Sequence, residues 1–384
     1  MINRRIYYIV IIMFTFLFSC KNAEKKEVEL MGDYLDSKLN VAVFKGNGAG
    51  ATSVIETLEA LRIDKEINAV ALSAQEIQNG NLSNFDVLII PGGSGSKQLL
   101  NLGESGQKLV KDFVEIQGKG IIGICAGAYM LSSTPGYPNL KLASSIHIDR
   151  AHYNRGRGLI EFSLNKKGLD IFPELTDHKL FIQYYDGPVL VESDSIEGKY
   201  DELGKYITDI HPDNFAPEGI TPGKTFLLHQ KKGKGRVFLI AGHPESTPGL
   251  RWMVPRMARW VSRSDMVKYD QKWIRPEIND KAIIFDNALR KEEKKNYWLL
   301  FSDEPEDQMN AMKTLHSFRS RTAVRWNMGM LRSIHPEVRA LAARLLKETG
   351  YSDAIVDLEQ AFKIEKDQNT KKIIKESIVF LKNE

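Results

Sequence analysis

Cysteine is scarce in this chain of 384 residues, which contains only Cys20 and Cys125. So low a count excludes the small disulfide-rich class of secreted domain, in which several bridges replace a hydrophobic core. An excess of one charge is lacking too, since 53 basic and 49 acidic residues give a net charge of +4. A chain so close to neutral offers no electrostatic case for a nucleic-acid partner, and we predict none.

Near the N-terminus the apolar run is short. Residues 6–18 are almost wholly apolar, but a membrane helix needs about 20 such residues. A basic start precedes this run and Cys20 follows it, which is the layout of an export signal. The sequence Leu-Phe-Ser-Cys resembles the bacterial lipoprotein signal, whose cysteine is lipidated. We therefore predict a signal peptide over residues 1–19, a lipid on Cys20 and a membrane-tethered protein of the bacterial cell envelope. An uncleaved anchor or a buried N-terminal segment is the alternative.

The central part of the chain alternates short apolar runs with amphipathic stretches. Such alternation predicts parallel strands joined by helices, in an α/β sheet that is covered on both faces. We place this domain at residues 39–263, after a charged tether at residues 20–38. Additional strands between residues 157 and 241 are predicted to extend the sheet in an antiparallel sense. A linker is predicted for residues 264–300.

The C-terminal part of the chain has the periodicity of helices. Apolar residues recur at helical spacing in residues 336–347 and 371–381. The string HPEVRALAARLLKETG, followed by another helix, resembles a HEAT-type repeat, and a plain helical bundle fits equally well. We predict an all-α domain over residues 301–384, without a catalytic constellation and suited to packing or to contact with a protein partner.

Cys125 stands between a predicted strand, GIIGI, and a predicted helix. Small residues at Gly123, Ala126 and Gly127 permit a sharp turn with a strained backbone, as in a nucleophile elbow. That turn would direct the sulfur toward free N–H groups at the helix start, which favour the thiolate. We predict that Cys125 is a nucleophile; the alternative is a small buried apolar residue.

Two more strand ends complete this prediction. The strand VFLIA runs into Gly-His-Pro-Glu, and FDVLII runs into Pro-Gly-Gly-Ser-Gly. Parallel strands end at one edge of a sheet, so His243 is predicted to reach Cys125 as base while Glu245 orients the imidazole. Glycines allow close approach of the backbone, and the N–H groups of Gly93 and Ala126 are predicted to hold an oxyanion.

A pocket is predicted around these strand ends, although other interpretations stay open. The residues predicted to line it are Gly92, Gly127, Tyr185 and Asp186. Tyr185 could equally serve aromatic packing. The sequence GNGAGA after the first strand fits a phosphate-binding turn, but a tight turn in an α/β sheet needs the same glycines. No spacing of histidines fits a metal site, and we predict neither metal nor cofactor.

The order PGG, GICAGA, GHPE resembles the class I glutamine amidotransferase-like superfamily. Within it, VAVFKGNGAG, ICAGAY and FIQYYDGP are most similar to the biotin-protein ligase N-terminal domain family. The resemblance implies a flavodoxin-like, doubly wound parallel sheet. It also implies Cys125 as nucleophile, His243 and Glu245 as the His-x-Glu pair, and Gly93 and Ala126 as oxyanion donors. The elbow differs from that of glutamine amidotransferases proper, which usually have a bulkier residue after the cysteine, and no synthase domain follows to receive ammonia.

Two functions follow from these observations. The first is a membrane-tethered cysteine hydrolase or amidase-like enzyme that acts on a carbonyl or amide of a small molecule. The second is a non-catalytic envelope lipoprotein that binds a ligand and recruits a partner through its helical tail. Oxidation of Cys125, as in a redox sensor, is a third and weaker interpretation.

Overall fold

The computed structural model describes residues 39–148, 156–214 and 216–383. The predicted signal peptide, the predicted tether and Cys20 lie outside these residues. Of the helices in the described ranges, none combines the length and the apolar character that crossing a membrane requires.

Within the described residues, a mixed sheet of 12 strands forms the centre of the molecule. The strands are β1 Leu39–Lys45, β2 Ile67–Ser73, β3 Val87–Ile90, β4 Gly120–Ile124, β5 Ile146–His147, β6 Arg157–Leu164, β7 Leu180–Tyr185, β8 Leu190–Val191, β9 Asp201–Tyr206, β10 Thr225–Lys232, β11 Gly235–Ile240 and β12 Ile283–Ile284. Side by side, β2, β1, β3, β4 and β11 run parallel. From β11 outward, β10, β9, β6 and β12 continue the sheet in antiparallel pairs, as the sequence predicts for this part.

Helices cover both faces of the parallel part. The helices before the C-terminal region are α1 Ala51–Leu61, α2 Ala74–Gln78, α3 Gly95–Glu115, α4 Ala126–Leu131, α5 Lys166–Ile171 and α6 Met253–Ser262. In β1, Val41 and Val43 enter the core beneath α1 and α6, whereas Ala42 and Phe44 enter the opposite core beneath α2 and α3. Side chains alternate across a strand, so a strand buried on both faces has to be apolar throughout.

The C-terminal helices are α7 Asn287–Leu299, α8 Pro305–Ser317, α9 Ala323–Met330, α10 Pro336–Glu348, α11 Ile355–Ile364 and α12 Gln368–Asn383. We call residues 287–383 the helical region. Apolar side chains such as Leu315, Leu346 and Ile374 give it a hydrophobic core of its own. Residues 264–300, for which the sequence predicts a linker, contain β12, which pairs with β6, and the whole of α7.

Ion pairs and hydrogen bonds join the helical region to the α/β part. Arg325 of α9 donates to Glu59 of α1 through Nη1 at 2.9 Å. The Tyr351 hydroxyl donates to the same carboxylate at 3.1 Å, and Arg251 pairs with Asp353. Both sides of this contact are largely buried, so the helices are held against the sheet domain by partly desolvated charge pairs.

Candidate active site

The predicted strand ends meet at one edge of the sheet. Parallel pairing sets Ile90 of β3 beside Gly123, and Ile124 of β4 beside Ile240 of β11. The pairing continues one residue further, because the Cys125 N–H donates to the Ile240 carbonyl oxygen at 2.9 Å. Cys125, the Pro-Gly-Gly turn and the His-Pro-Glu turn therefore converge, as the sequence predicts.

Cys125 occupies a strained turn. Its φ of 52° and ψ of −103° lie in a region that residues other than glycine rarely adopt. The turn also needs small neighbours. A Cβ added to Gly127 would lie 2.1 Å from the carbonyl oxygen of Ile90, and one added to Gly123 would lie 2.7 Å from the Gly127 carbonyl carbon. Glycine is thus sterically required at positions 123 and 127 of the elbow.

The thiol of Cys125 is buried. The residue is 5% exposed, and its Sγ donates to the carbonyl oxygen of Tyr185 at 3.3 Å. Burial raises the pKa of Cys125 to about 12, although the positive charge of Arg321 acts in the opposite direction. The N–H of Ala126 at the helix start does favour the thiolate, but desolvation of the sulfur outweighs it.

His243 and Glu245 form a buried pair. His243 Nδ1 lies 2.8 Å from Glu245 Oε1, and the two side chains are 2% and 0% exposed. Burial and the charge of Arg321 lower the pKa of His243. Burial by itself would raise the pKa of Glu245, but His243 and Arg321 outweigh it and lower that pKa. The imidazole is thus neutral, donates through Nδ1 to a carboxylate, and carries its lone pair on Nε2.

Backbone contacts hold this pair in place. The His243 N–H donates to the Gln183 carbonyl oxygen at 2.8 Å, and its own carbonyl accepts from the Thr247 hydroxyl at 2.7 Å. The ring lies against Gly92, where an added Cβ would be 2.6 Å from His243 Cε1. Glycine at position 92 is needed so that the imidazole can reach the edge of the sheet.

Neither His243 nor Cys125 bonds to the other in the described part of the chain. The thiol is directed to Tyr185, and Nε2 of His243 instead lies 3.5 Å from Nη1 of Arg321. Arg321 belongs to the helical region, for which the sequence predicts no catalytic constellation, and it lines the same cavity as Cys125.

The cavity at this edge has a volume of about 640 Å³. It is lined by Gly50, Ala51, Thr52, Ser53, Gly93, Ser94, Gly95, Ser96, Cys125, Ala126, Tyr129, Tyr137, Tyr185, Asp186, His243 and Arg321. Tyr185 and Asp186, two of the residues predicted to line a pocket, are among them. Gly92 and Gly127 lie beneath the cavity instead, packed against His243 and Ile90. Such a volume is typical of small-molecule sites.

The two predicted oxyanion donors both line the cavity. Gly93 has a φ of 140°, and a Cβ there would lie 2.1 Å from the Gly48 carbonyl oxygen. Backbone hydrogen bonds on either side of it run from Gly50 N–H to Gly92 O at 2.8 Å and from Ser94 N–H to Gly48 O at 2.7 Å. These bonds do not use the Gly93 N–H.

One signal in the sequence could have indicated the contact with Arg321. On α1, Ser53 and Glu56 are 3% exposed and lie on the same face as buried Ala60. A glutamate on the apolar face of a helix needs a buried cation.

Within residues 39–148, 156–214 and 216–383, no cluster of three or more His, Cys, Asp or Glu side chains could hold a metal ion.

Comparison with known families decides where this chain belongs. Residues 39–274 match the family described as "Biotin-protein ligase, N terminal". The chain belongs to the biotin-protein ligase N-terminal family. The match covers strands β1 to β11, the elbow and the His-Pro-Glu turn. In this member of the biotin-protein ligase N-terminal family, the match ends before β12 and the helical region.

Solved structures offer only remote likenesses to this family member. A cytoplasmic protein from Salmonella typhimurium LT2 is 14% identical, with a TM-score of 0.37, over 59% of this chain and 98% of its own. A cold-adapted β-galactosidase from Rahnella sp. R3 is 11% identical, with a TM-score of 0.39, over 60% and 32%. A carbohydrate deacetylase is 9% identical, with a TM-score of 0.38, over 68% and 39%. No curated protein sequence matches the chain. Because identity and TM-scores are this low, we draw no function from these likenesses.

Proposed function

We propose that this chain is a membrane-tethered cysteine hydrolase that cleaves an amide or ester of a small molecule. Cys125 is the nucleophile, His243 the base and Glu245 the residue that orients the base. The observation that carries the proposal is the strained turn that presents Cys125 to a 640 Å³ cavity shared with His243, whose ring is paired with Glu245. A nucleophile, a neutral base and a carboxylate in this order are the parts of covalent acyl transfer.

The reaction has two halves. Nε2 of His243 takes the thiol proton while Sγ of Cys125 attacks the carbonyl carbon, and the π electrons of the C=O bond move to oxygen. The N–H groups of Gly93 and Ala126 stabilise this oxyanion. The C=O bond re-forms, the bond to the leaving amine or alcohol breaks, and that group takes the proton from His243. Water then attacks the thioester with His243 as base, which releases the acid and restores the thiol.

Substrate binding has to change two contacts of the free site. The thiol leaves the Tyr185 carbonyl oxygen, and Nε2 of His243 turns its lone pair from Arg321 to the sulfur. Contacts of this kind are often long or poorly aligned in unliganded enzymes and tighten with substrate bound. The proposal therefore expects low reactivity of the free thiol and acceleration by a bound acyl donor.

The proposal also covers fold type and location. The parallel order β2, β1, β3, β4, β11 corresponds to the order 2-1-3-4-5 of flavodoxin-like sheets, and this supports a doubly wound fold of the class I glutamine amidotransferase type. Attachment to the envelope through a lipid on Cys20 is supported by the N-terminal sequence pattern alone.

Turnover of p-nitrophenyl acetate by the purified full chain tests this function. The activated ester needs no help for its leaving group, so release of p-nitrophenol reports attack by Sγ. We expect a burst of about one equivalent per chain, absent in Cys125→Ala, and a burst rate reduced on the order of 10²-fold or more in His243→Ala. Equal release by the wild type and Cys125→Ala would contradict the proposal.

A second candidate function is favoured by one observation. The thiol is buried, neutral and bonded to a backbone carbonyl, and Arg321 occupies the acceptor nitrogen of His243. A protein that binds a small molecule in this cavity without turnover would not need a reactive thiol or a base with a free acceptor nitrogen. Its helical region would then bind a protein partner in the envelope. In that case the burst is absent, whereas small molecules still raise the melting temperature of both the wild type and Cys125→Ala.

A further inference from the structure

Arg321 reaches the Cys125 cavity from outside the sheet domain. It lies in the turn between α8 and α9, and its side chain extends from the helical region into the α/β part of the molecule. The side chain is 10% exposed, although it carries a charge. A cation is buried to this degree only where fixed partners replace water, so the contacts of the guanidinium define its role.

Two of the guanidinium nitrogens bind the α/β part. Nε donates to the Ser246 hydroxyl at 2.8 Å, and Nη2 donates to the Ser53 hydroxyl at 2.9 Å. Nη2 also lies 3.3 Å from Glu56 Oε2 and 3.4 Å from Glu245 Oε1. The planar fork is thereby held between α1 and the turn Pro244–Ser246, which fixes the position of its third nitrogen as well.

That third nitrogen, Nη1, lies 3.5 Å from Nε2 of His243. The other ring nitrogen of His243 donates to Glu245 at 2.8 Å, so Nε2 is the acceptor. Arg321 therefore contacts both members of the pair: the acceptor nitrogen of the base and the carboxylate that orients the base. A cation at this point disfavours the imidazolium, and His243 stays in the form that accepts a proton.

We infer that Arg321 is a positioning residue of the Cys125 site, contributed by the helical region and acting through His243 and Glu245. The effect of Arg321 on catalysis rests on the proposed function, whereas its effect on the titration of His243 depends only on the folded structure. The helical region is then part of the reaction centre, and its docking is required for the site to work.

The charges around His243 agree with this inference. The titratable and charged groups that surround it are Glu245 from its own turn, Glu56 from α1, Cys125 before α4, Tyr185 and Asp186 at the end of β7, and Arg321. Arg321 is the cation of this group. Its guanidinium carbon lies 5.3 Å from the centre of the Tyr185 ring, whose carbonyl oxygen accepts from the thiol. Its charge also opposes the effect of burial on the pKa of Cys125.

Arg325 provides a matched control one helical turn away. It too crosses from the helical region to α1, where Nη1 donates to Glu59 at 2.9 Å. It does not line the cavity, and its contacts are with Glu59, Glu56 and Tyr351 rather than with His243. Loss of either arginine removes an ion pair from the same interface, but only Arg321 touches the His243–Glu245 pair.

The experiment combines two readouts on the full chain. NMR of labelled histidines follows the titration of His243, assigned among the 8 histidines through His243→Gln, and intact-mass kinetics follow acylation of Cys125 by p-nitrophenyl acetate. In Arg321→Gln we expect the pKa of His243 to rise and acylation to slow by at least about tenfold. In Arg325→Gln we expect neither change. Unchanged titration in Arg321→Gln, or an equal shift in Arg325→Gln, overturns the inference.

Arg321→Lys keeps the test decisive if the glutamine variant does not fold. Lysine keeps the charge but not the planar fork. The pKa of His243 should therefore stay low while acylation still slows; a raised pKa, or acylation at the wild-type rate, contradicts the inference. If wild-type Cys125 is not acylated at all, the proposed function fails, whereas the titration of His243 still decides the role of Arg321.

Discussion

Replacing Gly127 by alanine tests whether the elbow sets the position of the nucleophile. The added Cβ would lie 2.1 Å from the Ile90 carbonyl oxygen and 2.9 Å from its carbonyl carbon. Both atoms belong to the backbone of β3, which is paired on both sides and buried, so the clash can be relieved only by moving the start of α4. A normal carbon–oxygen contact requires a displacement of about 1 Å.

This displacement has two measurable effects. Overpacking of a rigid core costs about 1–3 kcal/mol of unfolding free energy. Cys125 immediately precedes α4, so the sulfur moves with it, and a misplacement of about 1 Å slows a positioned reaction on the order of 10²-fold. Urea unfolding measures the first effect, and the rate of Cys125 acylation by p-nitrophenyl acetate measures the second.

Gly329→Ala supplies the control with the same chemical change. Gly329 lies within α9, and no atom comes within 4 Å of an added Cβ. Alanine is the better helix former by about 1 kcal/mol, so this variant should be as stable as the wild type or more so, with unchanged acylation. If Gly127→Ala unfolds at the wild-type urea concentration and acylates at the wild-type rate, the steric account of the elbow is refuted.

Three further predictions concern the His243–Glu245 pair and the helical region. Glu245→Gln keeps the size of the side chain but removes the charge that holds the imidazole tautomer, so acylation of Cys125 should fall by about 10³-fold; a rate within twofold of wild type would contradict this. In the folded chain the pKa of His243 lies below its ordinary value of 6.5, so the unfolded chain binds a proton at His243 more readily. The unfolding free energy measured in urea should therefore fall as the pH drops below about 6.5. The fall should be less steep in His243→Gln. An equal slope in both proteins would exclude His243 as the cause. Leu346→Ala should lower the unfolding free energy by about 2–5 kcal/mol because Leu346 is fully buried, whereas Ile334→Ala, at 85% exposed, should change it by less than about 0.5 kcal/mol; equal urea midpoints would contradict this.

The parallel part of the fold was predictable because its strands are apolar on both faces. GIIGI reads as a buried strand without any knowledge of its neighbours, and β4 spans these residues. Among the additional strands, none is predicted at residues 201–206, because DELGKY has no apolar run to mark it, but these residues form β9. The apolar spacing of residues 105–117 predicts a helix there, whereas α3 already begins at Gly95, because the non-helical Gly103 interrupts its periodicity.

The site was predictable where local sequence determines geometry. The elbow at Cys125 and the turn after β11 are short-range features, and parallel pairing brings them together. Arg321 was not predictable from its own surroundings, because the residues of α1 that it contacts lie more than 260 positions earlier in the chain and nothing in the surrounding FRSRTAVR marks a buried arginine. The raised pKa of the Cys125 thiol was not predictable for a similar reason, because it depends on burial, which only the assembled cavity determines.

Mapping of a covalent intermediate tests the central claim most directly. The full chain is treated with p-nitrophenyl acetate, quenched in acid and digested, and the peptide that contains Cys125 is analysed by mass spectrometry with and without hydroxylamine. We predict an acetyl group on Cys125 that hydroxylamine removes, as for a thioester, and that forms on the order of 10²-fold more slowly in His243→Ala. An unmodified Cys125 peptide, or labelling at the same rate in His243→Ala, would contradict the account.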